Sequence, residues 1–563
     1  MKNLLSAFII MGLLVCYETQ AQVYVEEVVN GSITITPKGV RGKNGNPGNN
    51  TTNTSLGAQS LKSTTGSQNV AVGLSALFDN TSGSRNTAVG SQAVTNNTTG
   101  QGNTGIGYNS LFNNTTASGV VALGEYSLYS NSTGGDNIAV GNYALYSNVG
   151  GNSNTAVGSR SLYSSTGSYY NTAVGTSALY STLGGAANVA SGYRAMYSNT
   201  TGSNNTVSGY QAMQDNTIGG HNVGIGQGTL GSNKARSNNT AIGSGALGYA
   251  YNGTTAETGN NTAVGFAALR GSNTPASNSG TENTAVGSNS LRNNTSGGNN
   301  VAIGYQALLS NSVGINNVGV GYSALSSNNF GSANTALGYL ALENATSGNS
   351  NTAVGSFAGG GINTGSFNVV IGNSAGSNLS SGSDNVLLGG GNVTTGSNNV
   401  VVGRGANVPS ASADNQVRIG NNFITYAGVQ VAWTVTSDRR WKEQIQALPL
   451  GIDFIKALKP VQYVRKNDKS KSVEMGLIAQ DLEQTLDDFG KKNMGLLKKD
   501  DEGYLSVRYN DLMAPMIKAM QEQQAMIEKL MKEHQTLQAE IKDIKNTLAA
   551  NANDTKAVVE AKK

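Results

Sequence analysis

The chain has 563 residues, too many for one ordinary domain, and its last 127 residues hold 22 of the 36 Lys and Arg and 20 of the 32 Asp and Glu. Its net charge of +4 is small and spread out, which excludes a nucleic-acid footprint and a basic membrane-surface patch. A single cysteine, Cys16, excludes a disulfide framework.

Residues 1–21 read as a secretory signal: Lys2 gives the positive start, residues 4–15 the apolar run, and Thr19-Gln20-Ala21 the small residues of a cleavage site. The run is too short to remain as a membrane anchor. Lipoprotein processing at Cys16 is the alternative, although Val15 stands where such sites want Gly, Ala or Ser. Cleavage after Ala21 removes the one cysteine and, with it, thiolate metal sites. No later segment is apolar enough to cross a membrane, so the expected destination is the cell surface or the medium of a bacterium.

Residues 22–65 form the next segment. Apolar and polar residues alternate over 23–36 around Asn30-Gly31, which predicts a hairpin. Gly39, Gly42, Gly45 and Gly48 then fall at every third position, with Pro47 among them; this reads as a collagen-like tract or as a flexible linker.

From residue 66 to 436 the chain repeats Asn-Thr-Ala-Val-Gly and near copies of it. Taking the last Gly as a marker, the steps are 17 residues from Gly73 through Gly243, then 22 to Gly265 and 22 to Gly287, then 17 again to Gly389. Steps of 14 to Gly403 and 17 to Gly420 close the array. Such fixed self-similarity marks a solenoid. Four before the marker stands Asn in 19 of 21 copies, with Val120 and Gln416 as exceptions. An aliphatic residue stands just before the marker in nearly every copy and four after it in the first sixteen, as at Leu77, Leu145 and Met213. Short β-branched strands between Asn, Thr, Ser and Gly turns predict one coil per repeat, with the excess of the two longer steps in loops around 249–258 and 271–280. About two aliphatic residues per coil point inward on this reading, too few for one chain to offset the ordering of 17 residues, so further chains should cover them.

Asn-Thr-Ala-Val-Gly followed by Ser-x-Ala-Leu resembles the head repeats of YadA-like trimeric autotransporter adhesins, over roughly 66–420. The resemblance implies a mainly β fold, a left-handed parallel β-roll with three chains about one axis, and a rod on the order of 100 Å long at ~4.8 Å per stacked strand. Those adhesins end in a membrane-anchor barrel; no such terminal set of alternating strands follows here, so the resemblance covers the head alone.

Ser437-Asp438-Arg439-Arg440-Trp441-Lys442-Glu443 opens a charged domain over 437–515. Gly451-Ile452-Asp453-Phe454-Ile455, Gly476-Leu477-Ile478-Ala479-Gln480 and Tyr509-Asn510-Asp511-Leu512 follow in order. This succession resembles the intramolecular chaperone domain of phage tail spikes and endosialidases. It implies a small α+β domain that trimerises, guides β-rich folding upstream and is released by autoproteolysis. The family's nucleophile and base fall on Ser437 and Lys442, and the bond cut lies between Thr436 and Ser437. Trp441 and Gln444 stand where the family has Leu and Asn. A lysine whose ammonium is desolvated can activate a serine hydroxyl; otherwise Ser437 is a turn residue and Lys442 a solvated charge. Over 516–550, Met516, Met520, Gln523, Ile527, Leu530, His534, Leu537, Ile541, Ile544 and Leu548 follow steps of four and three, a coiled-coil seam. Residues 551–563 read as a disordered tail.

His221 and His534 are the only histidines and are too far apart to act together in one chain, so neither a metal site nor a cofactor is expected. The dinucleotide-like string from Gly243 to Gly248 sits in the repeat register with no helix behind it. The expected partners are two further copies of the chain and a glycan or protein ligand at a surface, with no nucleic acid and no membrane span. The leading expectation is an exported structural or adhesive fibre matured by one Ser-Lys self-cleavage. The alternatives are a phage-type tail fibre and a non-adhesive spacer whose chaperone domain stays attached.

Overall fold

A computed structural model describes residues 23–24, 33–36, 39–42 and 52–562, apart from 63, 432, 467 and 493. The signal-like residues 1–21 and the Asn30-Gly31 turn lie outside the described residues. The chain divides into two compact units, Met1–Val402 and Gly403–Lys563.

In the first unit Val23–Tyr24 and Ile33–Thr36 pair antiparallel, with Val23 opposite Ile35. Gly39–Gly42 adds a third strand, Thr36 facing Gly39 and Ile33 facing Gly42. The collagen-like reading therefore fails at these two glycines. An extended Gly-Val-Arg-Gly can satisfy the open edge of Ile33–Thr36 within one chain, whereas a collagen helix finds no partner inside it. Gly45 and Gly48 lie outside the described residues.

The array is a parallel β-solenoid of ~21 turns. Each turn contributes a three-residue strand paired in unbroken register with the same residues one coil on, as Thr87–Val89 pairs with Thr104–Ile106. The stack begins at Thr54–Leu56, one coil earlier than the repeat motif shows. The marker glycine turns the corner: Gly90 has φ +136°, and a Cβ on it would come within 2.5 Å of the Gly107 carbonyl oxygen.

The interior of a coil is complete within one chain. The strand's central alanine (Ala88, Ala139), the alanine three after the marker (Ala93, Ala144) and the aliphatic residue four after it (Leu77, Leu145, Met213) are wholly buried. Two ladders of buried asparagine run beside them. Asn69 Oδ1 accepts the Asn86 N–H at 3.0 Å, while Asn86 Nδ2 donates to Gly100 O at 2.9 Å. Seven after the marker, Asn97 Nδ2 donates to Asn80 Oδ1 at 2.6 Å and to Gly100 O at 3.1 Å. Buried amides are tolerable because these bonds replace water. Where the second ladder is interrupted, at Ser165, Ala250 and Ala345, the preceding Asn148, Asn233 and Asn328 each keep an unpartnered Oδ1.

Two inward aliphatic rows were expected; there is one. The residue just before the marker points outward, and Ile106, Ile225, Ile303 and Leu337 are exposed on the strand face. Alternation along a strand dictates this: once the central alanine faces in, its neighbours face out.

The two five-residue excesses keep the strands Thr240–Ile242, Thr262–Val264 and Thr284–Val286 in register. They are packed rather than loose. Arg236 takes a place held by glycine in most coils, such as Gly219, and its buried guanidinium bonds Glu257 Oε2 at 3.2 Å and the Ser279 and Gly280 carbonyls at 2.9 and 3.2 Å. The Tyr251 ring covers it at 4.6 Å.

In the second unit, Val417–Ile419 is a last three-residue strand. Beyond it come helix Ile452–Ala457, hairpin Pro460–Val464 with Val473–Leu477, helix Ala479–Asp488, hairpin Leu497–Lys499 with Leu505–Val507, and the 48-residue helix Met513–Glu560. Leu450, Phe454, Leu482, Leu486, Leu496 and Leu512 form its core. Glu522, on the long helix, caps the first helix by accepting the Ile452 N–H at 2.7 Å. The long helix runs through 551–560, where a disordered tail was expected; each added residue gains a backbone bond, and Ala549, Ala550, Ala552 and Ala557 are good helix formers.

Candidate functional site

The described residues among 421–436 lead into the charged domain without strand or helix, and Phe423, Tyr426, Trp433 and Val435 along them are exposed. The chain then turns sharply. Asp438, in extended conformation, caps the single 3-10 turn Arg439–Trp441 by accepting the Arg440 N–H at 2.8 Å. Its carboxylate also takes Arg440 Nε at 3.1 Å and Nη2 at 2.7 Å, a two-pronged clamp between residues two apart. The Trp441 and Lys442 N–H groups close the turn on the carbonyls of Asp438 and Arg439, both at 3.1 Å.

The turn places residues five apart on the same side. Lys442 Nζ lies 2.5 Å from Ser437 Oγ. Both side chains are exposed. Thr436, whose carbonyl precedes the serine nitrogen, is exposed as well. The guanidinium of Arg440 holds the Asp438 carboxyl below the usual carboxylate range, and the same contact raises Arg440 further.

The chemistry open to this arrangement is proton exchange between an amine and a hydroxyl adjacent to a peptide carbonyl. An uncharged lysine in this place can take the hydroxyl proton, and burial or a nearby cation is what favours that form. Asp438 and Arg440 escaped sequence reasoning as positioning residues, although an Asp two before an Arg at a turn is a recognisable capping pattern. Among the described residues, no group of three or more His, Cys, Asp or Glu could hold a metal ion, and no helix is long and apolar enough to cross a membrane.

Residues 437–491 match the family described as chaperone of endosialidase. The match opens on Ser437, the serine of the dyad, and runs through both helices and the hairpin between them. No curated protein and no solved structure matches the chain. The chain thus joins a chaperone-of-endosialidase domain to a β-solenoid array.

Elsewhere in the unit, Ile455, Leu458, Val461, Met475, Leu477 and Met516 line an open apolar groove of about 630 Å3. The seam residues of the long helix are also exposed, among them Met520, Leu530, Leu537 and Leu548.

Proposed function

We propose that the protein is an exported trimeric fibre whose C-terminal unit drives trimerisation, assists folding of the array and is then released by self-cleavage between Thr436 and Ser437. The observation that carries the cleavage is the 2.5 Å approach of Lys442 Nζ to Ser437 Oγ at the point where the family match begins. Trimerisation is supported by the apolar seam and groove of the second unit, which one chain leaves open to water. Export is supported by the signal-like residues 1–21.

The proposed reaction starts from that approach. Neutral Lys442 takes the proton of Ser437 Oγ, and the oxygen attacks the Thr436 carbonyl carbon. The C–N bond breaks, the Ser437 nitrogen receives a proton, and the acyl group now sits on Oγ as an ester. Water hydrolyses the ester, leaving a Thr436 carboxylate and a fragment that begins at Ser437. Neighbouring chains covering this turn in the trimer would remove water from Lys442 and favour its neutral form. No turnover follows, since the nucleophile leaves with the product.

Intact mass and N-terminal sequencing of purified protein test this. A fragment starting at Ser437 in the wild type and full-length chain in Ser437→Ala are expected; full-length chain in both refutes self-cleavage. A spacer role in place of adhesion has no observation of its own in its favour, whereas the uneven outer surface described next favours binding.

A further inference from the structure

The array shows two kinds of outer row. The residue before the marker is aliphatic almost throughout, from Val72 to Ile419, with Ser191 and Ser208 as the polar interruptions. A row that does not change along the stack is what packing against one common neighbour demands. The residue five after the marker behaves differently. Phe112, Tyr129, Tyr146, Tyr163, Tyr180 and Tyr197 stack in a ladder, ring centres 4.9 to 5.3 Å apart and planes within 11°. The same position then holds Gln214, Gly231 and Gly248, followed by Arg270 and Arg292. The ladder stops, and a notch opens in its place.

The first five-residue insert rises beside this notch. Gln227, Ser244, Gly248, Tyr249, Phe266 and Arg270 line a cleft of about 310 Å3, at the small end of ligand pockets. Phe266 is 60% exposed. Phe266 stands one after its marker, in a row where the coils on either side carry Ser244 and Ser288, so no ring from a neighbouring coil stacks on it. Arg270 is held rather than swinging: Nη2 donates to Tyr249 Oη at 2.9 Å, and the guanidinium lies 4.7 Å from the Tyr249 ring centre. Among the described residues, its remaining donors meet no carboxylate. No acidic side chain lines the cleft, and the nearby Glu257 is paired with Arg236.

We propose that this notch binds an acidic saccharide of the uronic-acid type. The apolar face of a pyranose ring packs on Phe266, its carboxylate takes the forked guanidinium of Arg270, and its hydroxyls meet Gln227 and Ser244. A planar fork beside an exposed ring selects a carboxylate on a puckered ring with one apolar face; a neutral sugar would offer the guanidinium no counter-charge. The inference rests on the adhesive reading above and gives it a ligand class.

Titration calorimetry of the full-length protein with oligogalacturonate, oligoalginate and hyaluronan oligosaccharides, beside a neutral galactose oligomer, tests it. At least one acidic oligomer should bind and the neutral one should not. Arg270→Gln and Phe266→Ala should each weaken binding about tenfold or more, the loss of one charge-assisted pair or one stacked ring. Ser244→Tyr fills the cleft while leaving Phe266 and Arg270, which hold the ring and the carboxylate, in place, and other coils already carry Tyr there, as at Tyr210 and Tyr305; it should abolish binding with the fold intact by circular dichroism. Ser437→Ala protein, titrated in parallel, should bind like the wild type, so failure of cleavage and failure of this site are read separately. No binding to any acidic oligomer, equal binding of the neutral one, or affinity unmoved by these variants overturns the proposal.

Discussion

The array and the C-terminal unit answer the same problem in opposite ways. A coil of the array buries its leucine, its alanines and its asparagine amides inside one chain, and stacking on like coils satisfies both edges of the strands between the two ends. The C-terminal unit buries a small core of six residues and leaves a 48-residue helix with its apolar seam in water. The difference teaches that the array's order is local and repetitive, whereas the C-terminal unit leaves apolar surface that the proposed trimer would cover. It also inverts the expectation that the coils are what a single polypeptide cannot hide.

The comparison breaks most visibly at the seam. Replacing Leu530 and Leu537 together by Asp puts charges where three chains are proposed to meet and should convert the protein to monomer by light scattering, while the array keeps its β signal. A trimer that persists would move the assembly contacts elsewhere. Cleavage is next in size. Lys442→Met should slow appearance of the Ser437 fragment by about 10²- to 10⁴-fold, the range of a lost general base. In the monomeric variant cleavage should fall as well, because nothing then covers the turn.

Inside the array the comparison can be sharpened by contrasting two rows of the same coils. Leu145→Ala empties a fully buried position and should cost about 2–5 kcal/mol in the unfolding of the isolated array, if the array melts cooperatively. Asn154→Ala leaves the Asn171 N–H and the Ser168 carbonyl short of partners and should cost about 1–3 kcal/mol. Ile225→Ala, on the exposed outer row, should cost under about 1 kcal/mol in a monomer and more in a trimer, if that row is the shared face.

The solenoid itself was legible from the period, the marker glycine and the β-branched triplet, because each reports a local constraint repeated many times. Which aliphatic row faces inward was not. Period alone cannot phase a three-residue strand, and the small Ala139 or Ala156, which decide it, carry little weight in a hydrophobic pattern. The asparagine was visible as a constant, but its role as a buried ladder needed Gly100 and Asn69 brought together across coils. Nothing in the repeat spacing marks Arg236, whose role depends on two inserts closing over it. At the candidate site Ser437 and Lys442 were found through their resemblance to a family, while the device that folds them together, Asp438 clamping Arg440, lies in side-chain geometry that spacing does not specify.

That clamp yields the smallest effect and a defined direction with pH. Arg440 lowers the Asp438 carboxyl in the folded chain, so the interaction is fully present above the ordinary carboxylate pKa and is lost as pH falls through the depressed folded value. Asp438→Asn keeps a capping oxygen for the Arg440 N–H but gives up the charge, and both residues are at the surface, so melting should barely shift. Cleavage should nonetheless slow by less than about tenfold, because a looser turn lets Ser437 and Lys442 spend less time together. Arg440→Ala should reproduce the slowing, and the double variant should be no slower than either single one, as expected of two groups acting through one contact. Additive losses in the double variant would mean that Asp438 and Arg440 act separately, and the clamp would then be an ornament of the surface rather than the hinge of the site.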